Sequence, residues 1–270
     1  MTTLLAVAGC GVTPSRPVTP ASEIPVPVPT PAPIPAPALP PGAVPDAVPR
    51  FEARSRAGNP TFYNVAGKRY FVLATSEGYS ERGVASWYGK DFHAKSTSNG
   101  ESYDMYAMTA AHKTLPLPCY AKVTNLSNGR SVIVRINDRG PFVANRIIDL
   151  SYSAASRLDM TRAGTAFVEV TVLQPEATTP GTVQAAAEPT IAAAGALYVQ
   201  AGAFAQRDNA ARLQQQLATS GVKDAQVREE RAGEQLLYKL HIGPLANVAE
   251  FDALVKKLGT LGVAGRLATN

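Results

Sequence analysis

Three side chains able to move protons stand where apolar runs meet turns in the middle of the chain. Glu101, His112 and Asp138 each lie at such a junction, beside glycine or proline residues. Carboxyl and imidazole groups are common general acids and bases. A carboxyl group that donates a proton near neutral pH needs a raised pKa, which burial or a neighbouring carboxylate provides. These residues therefore indicate acid–base chemistry, provided that the fold brings them to one groove.

Short strands are the elements that must position these groups. Residues Tyr120 to Asn125 and Ser131 to Ile136 have strand-like apolar patterns, and Tyr63 to Leu73 reads as a hairpin about an Ala-Gly-Lys turn. Only Ser153 to Leu158 predicts a helix, capped by a serine at its start. Many short strands with few helices favour a small closed barrel, which leaves no strand edge exposed.

Several motifs in this region carry a family resemblance. They follow one order and spacing: Gly83-Val84-Ala85-Ser86-Trp87-Tyr88-Gly89, Gly100-Glu101, Ala110 to Pro116, Val123-Thr124-Asn125, Asn137 to Phe142 and Arg146 to Ser151. Over residues 83–172 the chain resembles the rare lipoprotein A (RlpA) family. The resemblance implies a mainly β double-psi β-barrel that acts on peptidoglycan, in some members as a lytic transglycosylase.

The resemblance gives the three proton-moving residues expected roles. Asp138 is the first candidate for an acid that protonates the leaving glycosidic oxygen and then, as a base, takes the proton of the sugar's own C6 hydroxyl. Glu101 is its expected neighbour, and His112 is expected to orient a carboxyl group or to stabilise charge as imidazolium. The alternatives are a turn carboxylate paired with an arginine and, for His112, a strand-end hydrogen bond.

Aromatic and cationic residues near these groups are candidates for contacting the sugar. Trp87, Tyr88 and Tyr103 are expected to form a stacking floor for pyranose rings, and Arg139 is expected to contact the substrate. Core packing explains Trp87 equally well.

Other reactive residues carry weaker predictions. Asp149 more simply caps the following helix or braces the barrel, and Asp104 has no clear partner in the sequence. His93, His241 and Cys119 lack metal-ligand spacing, so neither a metal nor a cofactor is predicted.

The N-terminal segment has the form of a lipoprotein signal. Residues 1–10 run through apolar and small residues to Cys10, which predicts lipidation of Cys10 and an outer-membrane anchor facing the periplasm. No basic region precedes it, which suggests a start further upstream; the alternative is an N-terminus without targeting meaning. Fourteen of the 22 prolines lie between Pro14 and Pro49. This composition predicts a disordered, extended tether over residues 11–58.

The pattern changes after the predicted barrel domain of residues 59–174. Residues 175–195, rich in Ala, Thr and Pro, predict a disordered linker. Residues 196–270 then follow a βαββαβ order, which predicts one antiparallel sheet with two helices on one face, a ferredoxin-like or RNP-like α+β domain.

This C-terminal part is similar to SPOR domains in two motifs, Tyr198 to Phe204 and Tyr238 to Pro244. The resemblance implies binding of glycan strands that have lost their stem peptides and are enriched at division sites. Gln200 can hydrogen-bond sugar hydroxyls, and Phe204 can stack on a pyranose face. Core packing is an equal alternative for Phe204.

The charge distribution indicates which kind of partner the chain binds. Between residues 50 and 180 there are 16 Lys and Arg against 11 Asp and Glu, which suits an anionic polymer. Basic residues are not interleaved with stacking aromatics, so nucleic acid is not predicted. The leading hypothesis is a monomeric lytic transglycosylase at the division septum, with division proteins as candidate partners. The alternatives are a non-catalytic, expansin-like wall-binding module and a scaffold that recruits division proteins.

Overall fold

A computed structural model describes residues 40–175, 196–233 and 235–269. The predicted lipidation site Cys10, most of the predicted tether and nearly all of the predicted linker lie outside these residues. Within the described parts, no helix combines the length and the apolar character that a membrane crossing requires.

A closed six-stranded barrel forms the first domain, preceded by a hairpin. Its elements are a 3-10 turn at Pro41–Ala43, β1 (Phe62–Val65), β2 (Lys68–Phe71), β3 (Ser80–Trp87), a 3-10 turn at Lys90–Phe92, β4 (Thr109–His112), β5 (Cys119–Asn125), β6 (Ser131–Asp138), β7 (Arg146–Leu150), α1 (Tyr152–Arg157) and β8 (Thr165–Leu173). The barrel order is β3-β7-β4-β6-β5-β8, and β8 pairs back with β3. The pairs β3–β7 and β4–β6 are parallel and the others are antiparallel. The predicted barrel is confirmed.

Alternation along the strands fills the barrel interior with aliphatic side chains. Val134, Ile136, Ile148 and Leu150 are fully buried. Helix α1 closes one end, and Ser151 caps it by accepting a hydrogen bond from the amide of its third residue. Since side chains on a strand alternate between the two faces, residues next to these aliphatic positions point outward.

The segment before the hairpin packs on the barrel. Asp46 accepts a hydrogen bond from the Ile133 amide at 3.1 Å and pairs with Arg157 at 2.6 Å. Glu52 pairs with Arg135 at 2.7 Å. The prediction placed this segment in a disordered tether that ended at residue 58. The structure differs because two carboxylates in the segment find arginine partners on the barrel, which a proline-rich composition does not reveal.

The second domain is a four-stranded antiparallel sheet covered by two helices. It comprises β9 (Leu197–Phe204), α2 (Arg207–Thr219), β10 (Ala225–Ala232), β11 (Gln235–Ile242), α3 (Val248–Thr260) and β12 (Arg266–Thr269), with sheet order β10-β11-β9-β12. Its core includes Val199, Leu217, Leu240 and Leu258, which are fully buried. The predicted βαββαβ domain is confirmed.

Helix α3 contacts the barrel through polar contacts of Asp252 and an aromatic contact of Phe251. Arg146 Nη1 and Nη2 donate to the two carboxylate oxygens of Asp252 at 2.9 and 2.7 Å. The rings of Phe167 and Phe251 meet edge to face, with centroids 5.8 Å apart. The two domains therefore share a small interface with a polar and an apolar part.

Candidate active site

Two aspartates lie in one row across three strands of the barrel. In the parallel pair β4–β6, Ala111 is in register with Asp138. In the antiparallel pair β4–β7, Ala111 is in register with Asp149. Neighbouring strands are about 4.8 Å apart, so the two aspartate Cα atoms are separated by about 10 Å with only a methyl group between them.

Both carboxyl groups point away from the barrel core. Ala110 and Leu150 are in register and fully buried inside, so the next row, Ala111 and Asp149, faces outward. On β6 the register shifts after Ile136, which makes Asn137 an extra residue and turns Asp138 to the same outer face. The irregularity in β6 is therefore what brings Asp138 beside Asp149.

Asp138, the last residue of β6, is fixed by three donors. Its Oδ1 accepts hydrogen bonds from Ser98 N at 2.7 Å, Ser98 Oγ at 2.6 Å and Arg139 N at 2.7 Å. Its Oδ2 accepts none from the part of the chain that the structure describes. Donors on one oxygen orient the carboxyl group and leave the other oxygen available to a ligand.

The side chain of Asp149 is partly buried. Burial raises the pKa of its carboxyl group, and the charge of Asp138 adds to that effect, against a hydrogen bond from Ser86 and the charges of Lys113 and Arg146. Of the two structural roles predicted for Asp149, helix capping is wrong, because Ser151 caps α1. The hydrogen bond from Ser86 on the neighbouring strand fits the other role, bracing of the barrel. A carboxyl group with a raised pKa in the same row as one that three donors orient is an arrangement that gives two carboxyl groups different roles.

Gly140 keeps the space beside these carboxyl groups open. Its φ of +144° is accessible mainly to glycine, and a Cβ atom there would lie 3.7 Å from both Ala111 Cβ and Asp149 Oδ2. The small residue between the aspartates and the glycine above it leave room for a ligand atom.

The aromatic residues predicted to contact sugar differ in accessibility. Tyr103 is only 2% exposed, stacks on Tyr88 with ring centroids 4.2 Å apart, and donates to the Tyr88 carbonyl at 3.0 Å. Burial raises the pKa of the Tyr88 hydroxyl, and Tyr103, Asp138 and Asp149 add to it. Trp87 packs against the barrel core and Tyr152. Tyr88 and Tyr103 therefore lie near the aspartates, with Tyr103 the more buried of the two, and Trp87 is partly buried against the core.

Glu101 is held by an arginine instead of facing Asp138. Arg135 donates to both Glu101 oxygens, at 2.7 and 2.8 Å, and Asn137 Nδ2 donates to Oε2 at 2.8 Å. The hydrogen bonds from Arg135 lower the pKa of Glu101, so this carboxyl group is ionised at neutral pH. The carboxyl group that shares a row with Asp138 is that of Asp149, and the predicted pairing of Glu101 with Asp138 stays a prediction.

His112 is buried and neutral. Its Nδ1 accepts from the amides of Thr114 at 3.2 Å and Leu115 at 3.1 Å, and its Nε2 contacts the Tyr79 hydroxyl at 3.0 Å. Burial, with the charge of Arg139, lowers the pKa of His112 to about 3. The predicted imidazolium does not fit this environment, and the alternative of a hydrogen-bonding role at the strand end does.

Arg139 uses its guanidinium within the protein. Its five N–H groups reach the carbonyls of Gly58, His112 and Leu115 and the side chain of Asn59. No donor is left for a substrate, so the predicted substrate contact is replaced by a clamp between the N-terminal segment and the loop after β4.

Gln200 and Phe204 lie in the second domain, away from the aspartate row. With Arg212, Gln216 and Arg266 they line a groove of about 670 Å³ between α2 and the start of β12. Phe204 is half-buried and lies on the same side of the sheet as Leu213, because a bulge in β9 shifts the alternation after Gln200.

Asp149 carries only a weaker prediction from the sequence, and the structure places it in the same row as Asp138. The signal was present, because Asp149 interrupts the apolar run Arg146 to Leu150. A carboxyl group within an apolar barrel strand indicates either burial or a groove.

Comparisons with known proteins agree with this architecture. A family model described as "Lytic transglycolase" matches residues 80–170, and one described as "SPOR domain" matches residues 193–265. A Vibrio cholerae protein named endolytic peptidoglycan transglycosylase RlpA is 56% identical over 124 residues, 46% of this chain and 47% of that protein. A Pseudomonas aeruginosa protein of the same name is 37% identical over 238 residues, 70% of each chain. The chain thus spans about half the length of the first relative and 70% of the second.

Two solved structures were also compared. Streptomyces papain inhibitor has a TM-score of 0.29 and 20% identity, covering 36% of this chain and 96% of its own. An apo expansin from Clavibacter michiganensis has a TM-score of 0.27 and 14% identity, covering 61% of this chain and 78% of its own. Both TM-scores are too low for either likeness to bear on function.

Proposed function

This chain belongs to the RlpA family, since it is 37% identical to a member over 70% of both lengths, and we propose that it cuts the glycan strands of peptidoglycan as an endolytic lytic transglycosylase. The observation that carries the proposal is the outward row Asp138, Ala111, Asp149. Its two carboxyl groups have different environments, as an acid and a charge-stabilising carboxylate require.

Asp149 is the proton donor in this mechanism. It protonates the glycosidic oxygen as the C1–O bond breaks, which releases the leaving sugar with a neutral hydroxyl group and an oxocarbenium-like C1. Asp138, oriented by three donors, stabilises the positive charge at C1. Asp149, now ionised, takes the proton of the C6 hydroxyl while O6 bonds to C1. The product is a 1,6-anhydro sugar, no water is consumed, and Asp149 recovers its proton.

Glu101, His112 and Arg139 act as positioning residues. Glu101 holds Asn137, the extra residue of β6, through a 2.8 Å hydrogen bond. His112 fixes the loop after β4, and Arg139 ties that loop to the N-terminal segment. These contacts support the strand ends on which Asp138 depends.

The second domain directs the enzyme to glycan strands without stem peptides, with Gln200 and Phe204 among its contacts. The family membership supports peptidoglycan as the partner, and a cell-wall-associated, septal and periplasmic location follows from that substrate. Lipidation of Cys10, an outer-membrane anchor and contacts with division proteins complete the proposal.

Product analysis tests the proposal. The chain is incubated with intact sacculi and with sacculi treated with an amidase, and soluble products are identified by mass spectrometry. Anhydro-muramyl ends that are absent with Asp138→Asn support a lytic transglycosylase. Ordinary reducing ends would make it a hydrolase, and pelleting with sacculi without release would leave only a wall-binding module.

A further inference from the structure

An apolar cavity lies next to the aspartate row. It has a volume of about 390 Å³, and its walls include Pro60, Tyr63, Val65 and Phe142. The hairpin β1–β2 supplies two of these residues, and the loop after β6 supplies Phe142. Ser98 also lines the cavity, and the same residue donates two hydrogen bonds to Asp138 Oδ1. Ser98 therefore links the wall of the cavity directly to the carboxyl group of Asp138.

Two aromatic rings form a corner in this cavity. Tyr63 and Phe142 meet edge to face at 74°, with centroids 6.2 Å apart. Tyr70, which is 8% exposed, stacks on Tyr63 at 5.3 Å and contacts Phe142 at 5.6 Å, so it supports both rings. Phe142 itself is 43% exposed. A large aromatic side chain held in place but open to solvent is a usual stacking surface for a ligand.

The polar groups at this cavity are already hydrogen-bonded within the protein. The Tyr63 hydroxyl donates to the Lys113 carbonyl at 2.7 Å. The five N–H groups of Arg139 bind carbonyl and amide oxygens, and Ser98 Oγ donates to Asp138. The side chains of the lining offer no free N–H or O–H group to a carboxylate, because the charged one, Arg139, uses all five N–H groups within the protein. An apolar or weakly polar group fits better.

Resting on the proposed function, we infer that this cavity is a subsite for an N-acetylated hexosamine of the glycan strand, next to the sugar that is cleaved. The C–H face of the pyranose ring stacks on one ring of the corner. The acetamido methyl group packs against the other ring and the aliphatic walls of Pro60 and Val65. The occupant is a sugar of the same strand because Ser98 both lines the cavity and holds the carboxyl group of Asp138.

Oligosaccharide binding tests the inference. Chito-hexaose and cello-hexaose share β-1,4-linked pyranose rings and differ in the acetamido group. Saturation-transfer NMR with the full chain should give the strongest transfer to the acetamido methyl protons of chito-hexaose. Phe142→Ala should weaken this signal and raise the Kd of the barrel site on the order of tenfold. Phe71→Ala is the matched control, because Phe71 is an exposed hairpin aromatic outside the cavity lining.

Three results would overturn the subsite. These are equal methyl transfer in the wild type and Phe142→Ala, the same loss with Phe71→Ala, and binding of cello-hexaose as tight as that of chito-hexaose. The second domain is identical in the wild type and in both variants, so any sugar binding by that domain is the same in all three. Differences between them therefore report sugar binding by the barrel.

Failure of the subsite and failure of the proposed function give different patterns. If the wild type releases no product from sacculi but Phe142→Ala still loses methyl transfer, the proposed reaction fails and the subsite stands. If the wild type cleaves sacculi and Phe142→Ala has an unchanged KM, the subsite fails and the reaction stands.

Discussion

Asp149 stands in register with Asp138 across a single alanine, although the two residues lie on strands that are not neighbours. This relationship depends on β4 pairing with β6 in parallel and with β7 antiparallel. It places a carboxyl group with a raised pKa beside one that three donors hold in a fixed orientation. The chemistry proposed for the site follows from that difference in environment.

Acid should weaken the attachment of the N-terminal segment through Glu52. Hydrogen bonds from Arg135 are the main cause that lowers the pKa of Glu52 to about 2. A carboxyl group with a lowered folded-state pKa stabilises the fold above its unfolded-state pKa and loses that contribution as pH falls toward its folded-state pKa. Thermal unfolding measured from pH 6 to pH 2 should therefore show a drop between about pH 4.5 and pH 2 that is smaller in Glu52→Gln.

The control for this prediction is Glu77→Gln, because Glu77 is exposed. It should unfold with the pH dependence of the wild type. An acid transition that Glu52→Gln leaves unchanged would contradict the role of the Glu52–Arg135 pair.

Replacing His112 should destabilise the barrel. His112→Ala leaves the buried amides of Thr114 and Leu115 without an acceptor and opens a cavity. We expect a loss of roughly 2–4 kcal/mol in the free energy of unfolding, measured by urea denaturation. His93→Ala, at an exposed imidazole, is the control and should cost much less.

The sign of the pH dependence separates this role from catalysis. The lowered pKa of His112 means that its stabilisation is present above the unfolded-state value of about 6.5 and is lost as pH falls below it. Any residual activity of His112→Ala should keep the wild-type pH profile. A fully stable variant with a shifted pH profile would make His112 a catalytic group.

The ion pair between the domains should be measurable as a coupling. Arg146 and Asp252 make two parallel hydrogen bonds, and the arginine side chain is only 13% exposed. A double-mutant cycle with alanine at both positions should give a coupling energy of roughly 1–2 kcal/mol. The exposed pair Arg130 and Asp159, 3.5 Å apart, should give about 0.5 kcal/mol or less.

Hydrogen exchange provides a second readout of the same contact. Amides in α3 should exchange faster in Asp252→Ala than in the wild type, while those of β6 should not change. Zero coupling together with unchanged exchange in α3 would show that the pair does not hold the domains together.

The sequence predicted the strands of the barrel because alternation and turn residues are local signals. Ser131 to Ile136, for example, was predicted as a strand and forms most of β6. The pairing of Asp138 with Asp149 is not a local signal. It requires the register of two strand pairs and the extra residue Asn137, and no spacing in the sequence encodes either of them.

The sequence also does not indicate which charged side chains pair with each other. Glu101 and Asp138 both follow apolar strands or turns, and nothing in their neighbours indicates that Arg135 reaches one and not the other. Arg135 itself is shared between Glu101 and Glu52, which is 83 residues away in the chain. Such long-range pairings depend on tertiary packing, so the partners of individual carboxylates could not be predicted from the sequence.

The central claim is that Asp149 donates the proton. Its most direct test is the pH dependence of kcat/KM for release of anhydro-muramyl products from denuded strands, compared between the wild type, Asp149→Asn and the exposed control Asp91→Asn. The donor form of Asp149 disappears as pH rises through its raised pKa, so the wild type and the control should lose activity on the alkaline side. Asp149→Asn should be about 10²–10⁴-fold slower and lack this alkaline limb. A rate and an alkaline limb in Asp149→Asn that equal those of the wild type would contradict the claim.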